Sequence, residues 1–275
     1  MCEAAINLVR TLPDGLPRPL LEALEAMGRA QPFSHQRETV ELVRQGRDVL
    51  LVTSTASGKT LAFNTAILDL LLREPDGRAL YLYPLNALAN DQEQALKELI
   101  SHLPATSQPR VGLVTRQVSA DTRRAARDAH LILTNPETVH FSILQWPHLW
   151  ERMLGQLRFV VVDEAHMYRG AFGAHVAHVL RRLVRLAPAA GAHPQVIAAS
   201  ATIGNPAELG KLLTDRDWLG STFPRTSLST KSSSGRPRTE ATRVSSGSTS
   251  PPGSATTFSV RSCARRSRRP SDGGS

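Results

Sequence analysis

The sequence predicts an α/β domain with a mainly parallel sheet covered by helices on both faces, followed by a tail that does not fold. Three observations carry this expectation. Short apolar runs alternate with helical patterns as far as Thr214. Those runs lack the in–out alternation of a half-exposed strand, which suits strands buried between two helix layers. After Thr214 the composition changes abruptly, with 16 Ser and no Ile in Asp215–Ser275.

Taken in order, the expected strands are Asp48–Val52, Ala79–Tyr83, Val111–Thr115, Leu131–Leu133, Phe159–Val162 and Val196–Ala199. Each is short and is flanked by polar residues, Pro or Asn. Between them lie helical patterns at Leu61–Leu72, Ala87–Leu103, Ala120–Ala129, Pro136–Gln145 and Ala174–Leu186. Right-handed crossovers between such units set every strand's C-terminal end along one edge, where ligands bind in open parallel sheets. Residues 1–15 read as an N-terminal extension, 16–214 as the folded domain and 215–275 as a Ser/Arg/Pro-rich disordered tail.

Composition narrows the class. No apolar run approaches the roughly 18 residues of a membrane span, so no membrane partner is expected. The N-terminus lacks a basic region followed by an apolar stretch, and the two cysteines, Cys2 and Cys263, lie far apart. A disulfide framework and a metal cluster are therefore not expected, and a cytoplasmic protein is. The net charge of +9 suggests nucleic acid, but 11 of the 33 Lys+Arg and only 4 of the 24 Asp+Glu fall in the tail. The excess belongs to that segment and says little about the folded part. A flexible basic tail that helps bind nucleic acid is one alternative. Another is translation out of frame: regrouping the bases of Val244–Pro252 permits apolar residues around a Trp and an Asn before two prolines, similar to the next strand of related proteins. Sequencing the gene downstream of the Thr214 codon tests it.

Chemistry enters at Thr53-Ser54-Thr55-Ala56-Ser57-Gly58-Lys59-Thr60, between an apolar run and a helical pattern. This is GxxxxGK[ST] with Thr53 in place of the first glycine, in the strand–loop–helix context the motif requires. Small residues let backbone N–H groups converge on phosphate, and the helix N-terminus favours anions. Lys59 would reach the β- and γ-phosphates of ATP, and the Thr60 hydroxyl would ligate Mg²⁺. A Ser/Thr-rich capping turn is the plainer alternative. A second signal, Asp163-Glu164-Ala165-His166, ends the apolar run from Phe159. A strand-end Asp can serve the metal while the adjacent Glu orients and deprotonates water. By itself such a pair is often a helix N-cap.

These residues carry a family resemblance. Asp163-Glu-Ala-His166 resembles the DEAH form of motif II in superfamily 2 helicases. Ser200-Ala201-Thr202 resembles motif III, Tyr83–Ala89 motif Ia, Thr134-Asn-Pro-Glu137 motif Ib, and Phe33-Ser-His-Gln36 the adenine-reading Q motif. Their order is that of the family, over about Leu16–Leu213. The stretches TxTASGKT and DEAHMYRGAFGAHVAHVLRRL resemble the MrfA/YprA-type repair-associated DNA helicases, which carry a C-terminal cysteine-rich zinc region.

The resemblance implies a single RecA-like P-loop domain and supplies roles for the matching positions. Gln36 would read adenine and Phe33 stack on it. Thr55, Ala56, Ser57, Gly58, Lys59 and Thr60 would hold phosphate and Mg²⁺. Lys59, Asp163 and Glu164 would be catalytic, with Asp163 also serving Mg²⁺. His166, Ser200 and Thr202 would couple nucleotide state to movement. Pro84, Asn86, Thr134 and Asn135 would lie beside the backbone of single-stranded or partly duplex DNA, with RNA left open. Other features stay bland: His175 and His178 lack a third metal ligand, Trp146 and Trp150 read as packing residues, and Arg181, Arg182 and Arg185 fit phosphate contact or a solvated face equally.

Motors of this type close two RecA-like domains around ATP, the second supplying arginine fingers. Neither that domain nor the zinc region is recognisable after Thr214. The expectation is an ATP-binding helicase motor domain that needs a second RecA-like domain in cis or in trans and hydrolyses ATP weakly when isolated. The competing readings are a stand-alone ATP-dependent nucleic-acid-binding module and a non-functional product of a frameshifted gene.

Overall fold

The computed structural model describes residues 12–54, 57–201, 205–216 and 222–223. The chain divides into units Met1–Leu228 and Ser229–Ser275, and the second lies wholly outside the described residues. The first is a seven-stranded sheet in the order β3-β4-β2-β5-β6-β1-β7. Its strands are β1 Val49–Val52, β2 Arg78–Leu82, β3 Val111–Val114, β4 Leu131–Thr134, β5 Leu157–Val162, β6 Gln195–Ser200 and β7 Thr222–Phe223. Every pairing is parallel, so all strand C-termini share one edge.

Strand period and helix layers explain the two cores. Alternate strand residues point to opposite faces. Val49, Leu51, Ala79, Tyr81, Phe159 and Val161 face one layer, built from α1 Arg18–Ala26, α2 Ser34–Arg44, α3 Lys59–Leu71 and α4 Asn86–Ser101. Leu50, Val52, Leu80, Leu82, Val160 and Val162 face the other. That second layer holds α5 Ala120–Ala126, α6 Pro136–Thr138, α7 Glu151–Gly155, α8 Gly170–Ala189 and α9 Pro206–Thr214. Burial of both faces is why these strands read as continuous apolar runs.

The six expected strands are present, with ends displaced by one or two residues. The expected helix Pro136–Gln145 differs: after the single turn of α6 it continues as a π-helical turn, Val139–Ile143. The β7 pairing of Thr222 and Phe223 with Leu50 and Leu51 lies inside the segment expected to be disordered. Arg216, from the same segment, donates to Asp48 at 3.0 Å and to the Pro194 carbonyl at 3.0 Å. Ordered structure therefore continues past Thr214. The rest of the tail, both cysteines, Thr55, Ala56 and Thr202 lie outside the described residues. Among the described residues no helix is long and apolar enough to cross a membrane.

Candidate nucleotide site and nucleic-acid edge

The phosphate loop leaves β1 at Thr53 and enters α3 at Lys59. Gly58 adopts φ +79°, a left-handed conformation that side chains disfavour. The backbone conformation favours glycine, and a Cβ there would also push Nε2 of Gln36 out of its place. Thr53, standing where the motif has its first glycine, uses its hydroxyl: Oγ1 lies 2.5 Å from Ser57 Oγ and closes the loop across its base. Lys59 is buried, and its Nζ donates to the carbonyls of Thr53 at 3.2 Å and Ser54 at 3.1 Å.

Gln36 ties a second element to this loop. Its Oε1 accepts from Phe33 N at 2.9 Å, and its Nε2 donates to the Gly58 carbonyl at 3.0 Å. A primary amide has two donors and two lone pairs, so one of each remains. Phe33 stacks on His35, with rings 10° from parallel. Burial pushes His35 below the ordinary imidazole value, opposed by its bond to the Ser57 backbone and reinforced by the Lys59 charge.

From β5 come Asp163 and Glu164. Asp163 is buried, and its Oδ1 accepts from Glu164 N at 2.8 Å. Burial raises its carboxyl to about 6, the Glu164 backbone bond opposing, the Glu164 charge adding and Lys59 opposing. Glu164 has φ +47°, which is uncommon for a residue with a Cβ and is a strain of the kind held at functional sites. Its Oε2 lies 3.1 Å from His166 Nδ1, and the same Nδ1 faces Ala201 N at 3.4 Å, joining the ends of β5 and β6. Ser200 is fully buried, its hydroxyl without a partner among the described residues.

These groups converge on one cleft of about 410 Å³, lined by Phe33, Gln36, Lys59, Thr60, Asp163 and Glu164. Arg29, Asn64 and Gln92 line it too, and sequence reasoning missed them. Asn64 was discoverable: it lies four residues after Thr60, on the same helical face. His166 and Ser200 do not line the cleft but stand behind its acidic side.

The residues expected beside a strand gather at the same sheet edge, after β2 and β4. Asn135 caps α6 through its Oδ1, accepting from Thr138 N at 2.7 Å, and its Nδ2 donates to Asn86 Oδ1 at 2.5 Å. Pro84 and Asn86 are half-buried. Thr134 is different. It is fully buried and its hydroxyl donates to the Val114 carbonyl at 2.6 Å, while its own carbonyl accepts from Tyr83 N at 2.9 Å. Those bonds occupy it within the sheet. Trp150 is buried as a packing residue should be, whereas Trp146 is 54% exposed. Of the arginines on α8, Arg181 is half-buried and donates to the Leu212 carbonyl; Arg182 and Arg185 are exposed.

Comparison with known proteins follows the same residues. The family model for the DEAD/DEAH box helicase matches residues 33–209. The uncharacterized ATP-dependent helicase YprA of Bacillus subtilis is 37% identical over 212 residues, covering 75% of this chain and 28% of YprA. The ATP-dependent helicase HRQ1 of Saccharomyces cerevisiae is 38% identical over 190 residues, 68% of this chain and 18% of HRQ1. A crystal structure of the DUF1998 helicase MrfA bound to DNA and AMPPNP superposes with a TM-score of 0.73 at 35% identity, covering 78% of this chain and 32% of that one. The chain thus spans less than a third of the length of these relatives.

Proposed function

This chain belongs to the DEAD/DEAH box helicase family, as an ATP-dependent motor domain of the YprA, Hrq1 and MrfA type, and from that premise we propose that it binds Mg²⁺–ATP in the cleft and a DNA strand along the adjoining sheet edge. The observation that carries the nucleotide assignment is the convergence of Lys59, Thr60, Asp163 and Glu164 with Gln36 and Phe33 in one cleft. Gln36 is held from both sides, and its spare donor and acceptor match the N7 acceptor and N6 donor of adenine. Phe33 stacks on the base. Lys59 exchanges its two carbonyl partners for the phosphates, and the loop amides and α3 N-terminus add to the hold.

The residues fit a magnesium ion. Asp163 is a buried carboxylate whose ionised form is disfavoured until a cation faces it, and Thr60 borders the same space. Mg²⁺ takes one or two carboxylates plus nucleotide phosphates rather than a full protein cage. Bound there, it would neutralise phosphate charge during transfer. Glu164, turned by its left-handed backbone, orients the attacking water and accepts its proton. His166 and Ser200, between the ends of β5 and β6, carry the state of the acidic pair to motif III.

For the strand, Asn86 and Asn135 hold one another in place at the edge, and MrfA, a structural neighbour, has been solved with DNA. Contacts of this kind read the sugar–phosphate backbone and tolerate sequence. DNA repair is the setting that the family resemblance implies. A second RecA-like domain, in cis or trans, completes the ATPase by supplying arginine fingers. Binding of a fluorescent ATP analogue with Mg²⁺ tests the reading. Saturable binding by the full chain, lost in Lys59→Ala, is expected; equal binding by both proteins, or none by either, overturns it.

A further inference from the structure

Helix α8 carries no Asp or Glu over its 20 residues. Its exposed residues His175, His178, Arg182 and Arg185 recur at intervals of three, four and three, which sets them along one helical face. Arg182 and Arg185 have no carboxylate partner among the described residues. Arg182 reaches His140 Nδ1 at 3.5 Å, and Arg185 donates to the Arg181 carbonyl. Several other surface arginines, among them Arg37, Arg44 and Arg158, are ion-paired, whereas these two keep their charge uncompensated by a carboxylate within ion-pair distance among the described residues.

The row is also joined to the proposed strand edge. Asn135 caps α6, which runs without interruption into the π-helical turn Val139–Ile143. That turn presents Phe141, 52% exposed, and His140, whose ring packs edge-on against Phe141 at 4.7 Å and His175 at 5.4 Å. A π-turn inserted in a short helix is a recurrent functional feature. Here it displays an aromatic ring beside a cationic row, the pairing that single-stranded nucleic-acid surfaces use for bases and phosphates.

We propose that the exposed face of α8, with Phe141 of the adjoining π-turn, is a second nucleic-acid contact that extends the strand path from Asn135. Arg182 and Arg185 face phosphates, His175 and His178 line the path between them and His140, and Phe141 stacks on a base. From His175 to Arg185 the face runs about 15 Å, enough for roughly four base steps of 3.4 Å. The inference rests on reading the chain as a nucleic-acid motor.

Fluorescence anisotropy of a labelled oligothymidine with the full chain, titrated across salt concentrations, tests it. Arg182→Ala with Arg185→Ala should weaken binding roughly tenfold and flatten the slope of log affinity against log salt by about 1.4, two phosphate contacts on a single strand. Phe141→Ala should weaken binding roughly tenfold while leaving that slope unchanged. Lysine at both arginine positions should restore the slope. All of these side chains are exposed, so melting temperatures should match the parent protein. Asn86→Ala, on α4 and outside the helix that leads into the π-turn, serves as the separate probe of the edge. Weakening in Asn86→Ala, with wild-type affinity and slope in the α8 and Phe141 variants, overturns the second contact and leaves the proposed function standing. That is also the result expected if an acidic protein, rather than a strand, occupies α8. No oligonucleotide binding by the parent chain overturns both.

Discussion

Asp163 shows how one buried carboxyl couples stability to function. Burial raises it to about 6 from an ordinary 3.8, so the ionised form is the costly one in the folded protein. Its contribution to stability is complete below about pH 3.8 and is lost as pH rises through about 6. Asp163→Asn should therefore stabilise the nucleotide-free protein at about pH 7 by up to about 3 kcal/mol, with the gain fading below about pH 4. Urea denaturation at several pH values checks this. Nucleotide binding should move the other way: affinity for the Mg²⁺-bound analogue rises as pH increases through about 6, and Asp163→Asn abolishes that rise. Gly58 makes a second residue-scale case. Alanine there meets a left-handed backbone at a cost of about 1–2 kcal/mol and displaces Gln36, so nucleotide binding should fail in a protein that still folds.

Elements in the nucleotide layer are joined by charge as well as by apolar packing. Asp69 on α3 is buried, and both its oxygens accept from Arg44 of α2, at 2.7 and 3.0 Å. Arg73 adds bonds at 2.9 and 3.2 Å. Removing the shared acceptor deletes the charged bonds that join α2 to α3, while Arg44 and Arg73 stay partly exposed and keep the carbonyls of Asp14 and Gly15. Asp69→Ala should destabilise the protein by about 1–2 kcal/mol, read from chemical denaturation, and should loosen α2 with its Gln36. The helix after β5 has its own local requirement. A Cβ on Gly173 would run into the carbonyl of Tyr168, so the AFG step lets the first turn of α8 close onto the DEAH segment. The motif string was readable in the sequence. The close backbone approach that requires its glycine was not, because it depends on how the turn folds back.

At the scale of the molecule, β7 and Arg216 extend the sheet beyond the composition boundary. Ending the chain at Thr214 removes the pairing of β7 with β1 and the Arg216 bonds to Asp48 and Pro194. Such a truncation should cost about 1–3 kcal/mol, visible as a lower denaturation midpoint. Turnover is the other whole-molecule property. An arginine finger from a second domain contributes about 10³–10⁵ in related NTPases. On the two-domain reading proposed above, residues 1–275 by themselves should bind nucleotide and hydrolyse it slowly, and a second RecA-like domain supplied in trans should accelerate it. Rapid DNA-stimulated hydrolysis by the isolated chain would contradict this.

Much of the molecule was legible as pattern. Apolar runs reported six parallel strands, since burial on both faces leaves no polar alternation, and motif spacing placed Lys59, Asp163 and Glu164 after strands, at the edge where backbone groups are free. Tertiary structure decided what depends on contacts between distant segments. It joined Gln36 to Gly58, drew Thr134 into the sheet, and brought Asn64 and Gln92 into the cleft. It also separated Arg181, held by α9, from Arg182 and Arg185, which stay in solvent. Periodicity reports which face of a helix is buried, but not which segment faces it, and a two-residue strand such as β7 has no period at all.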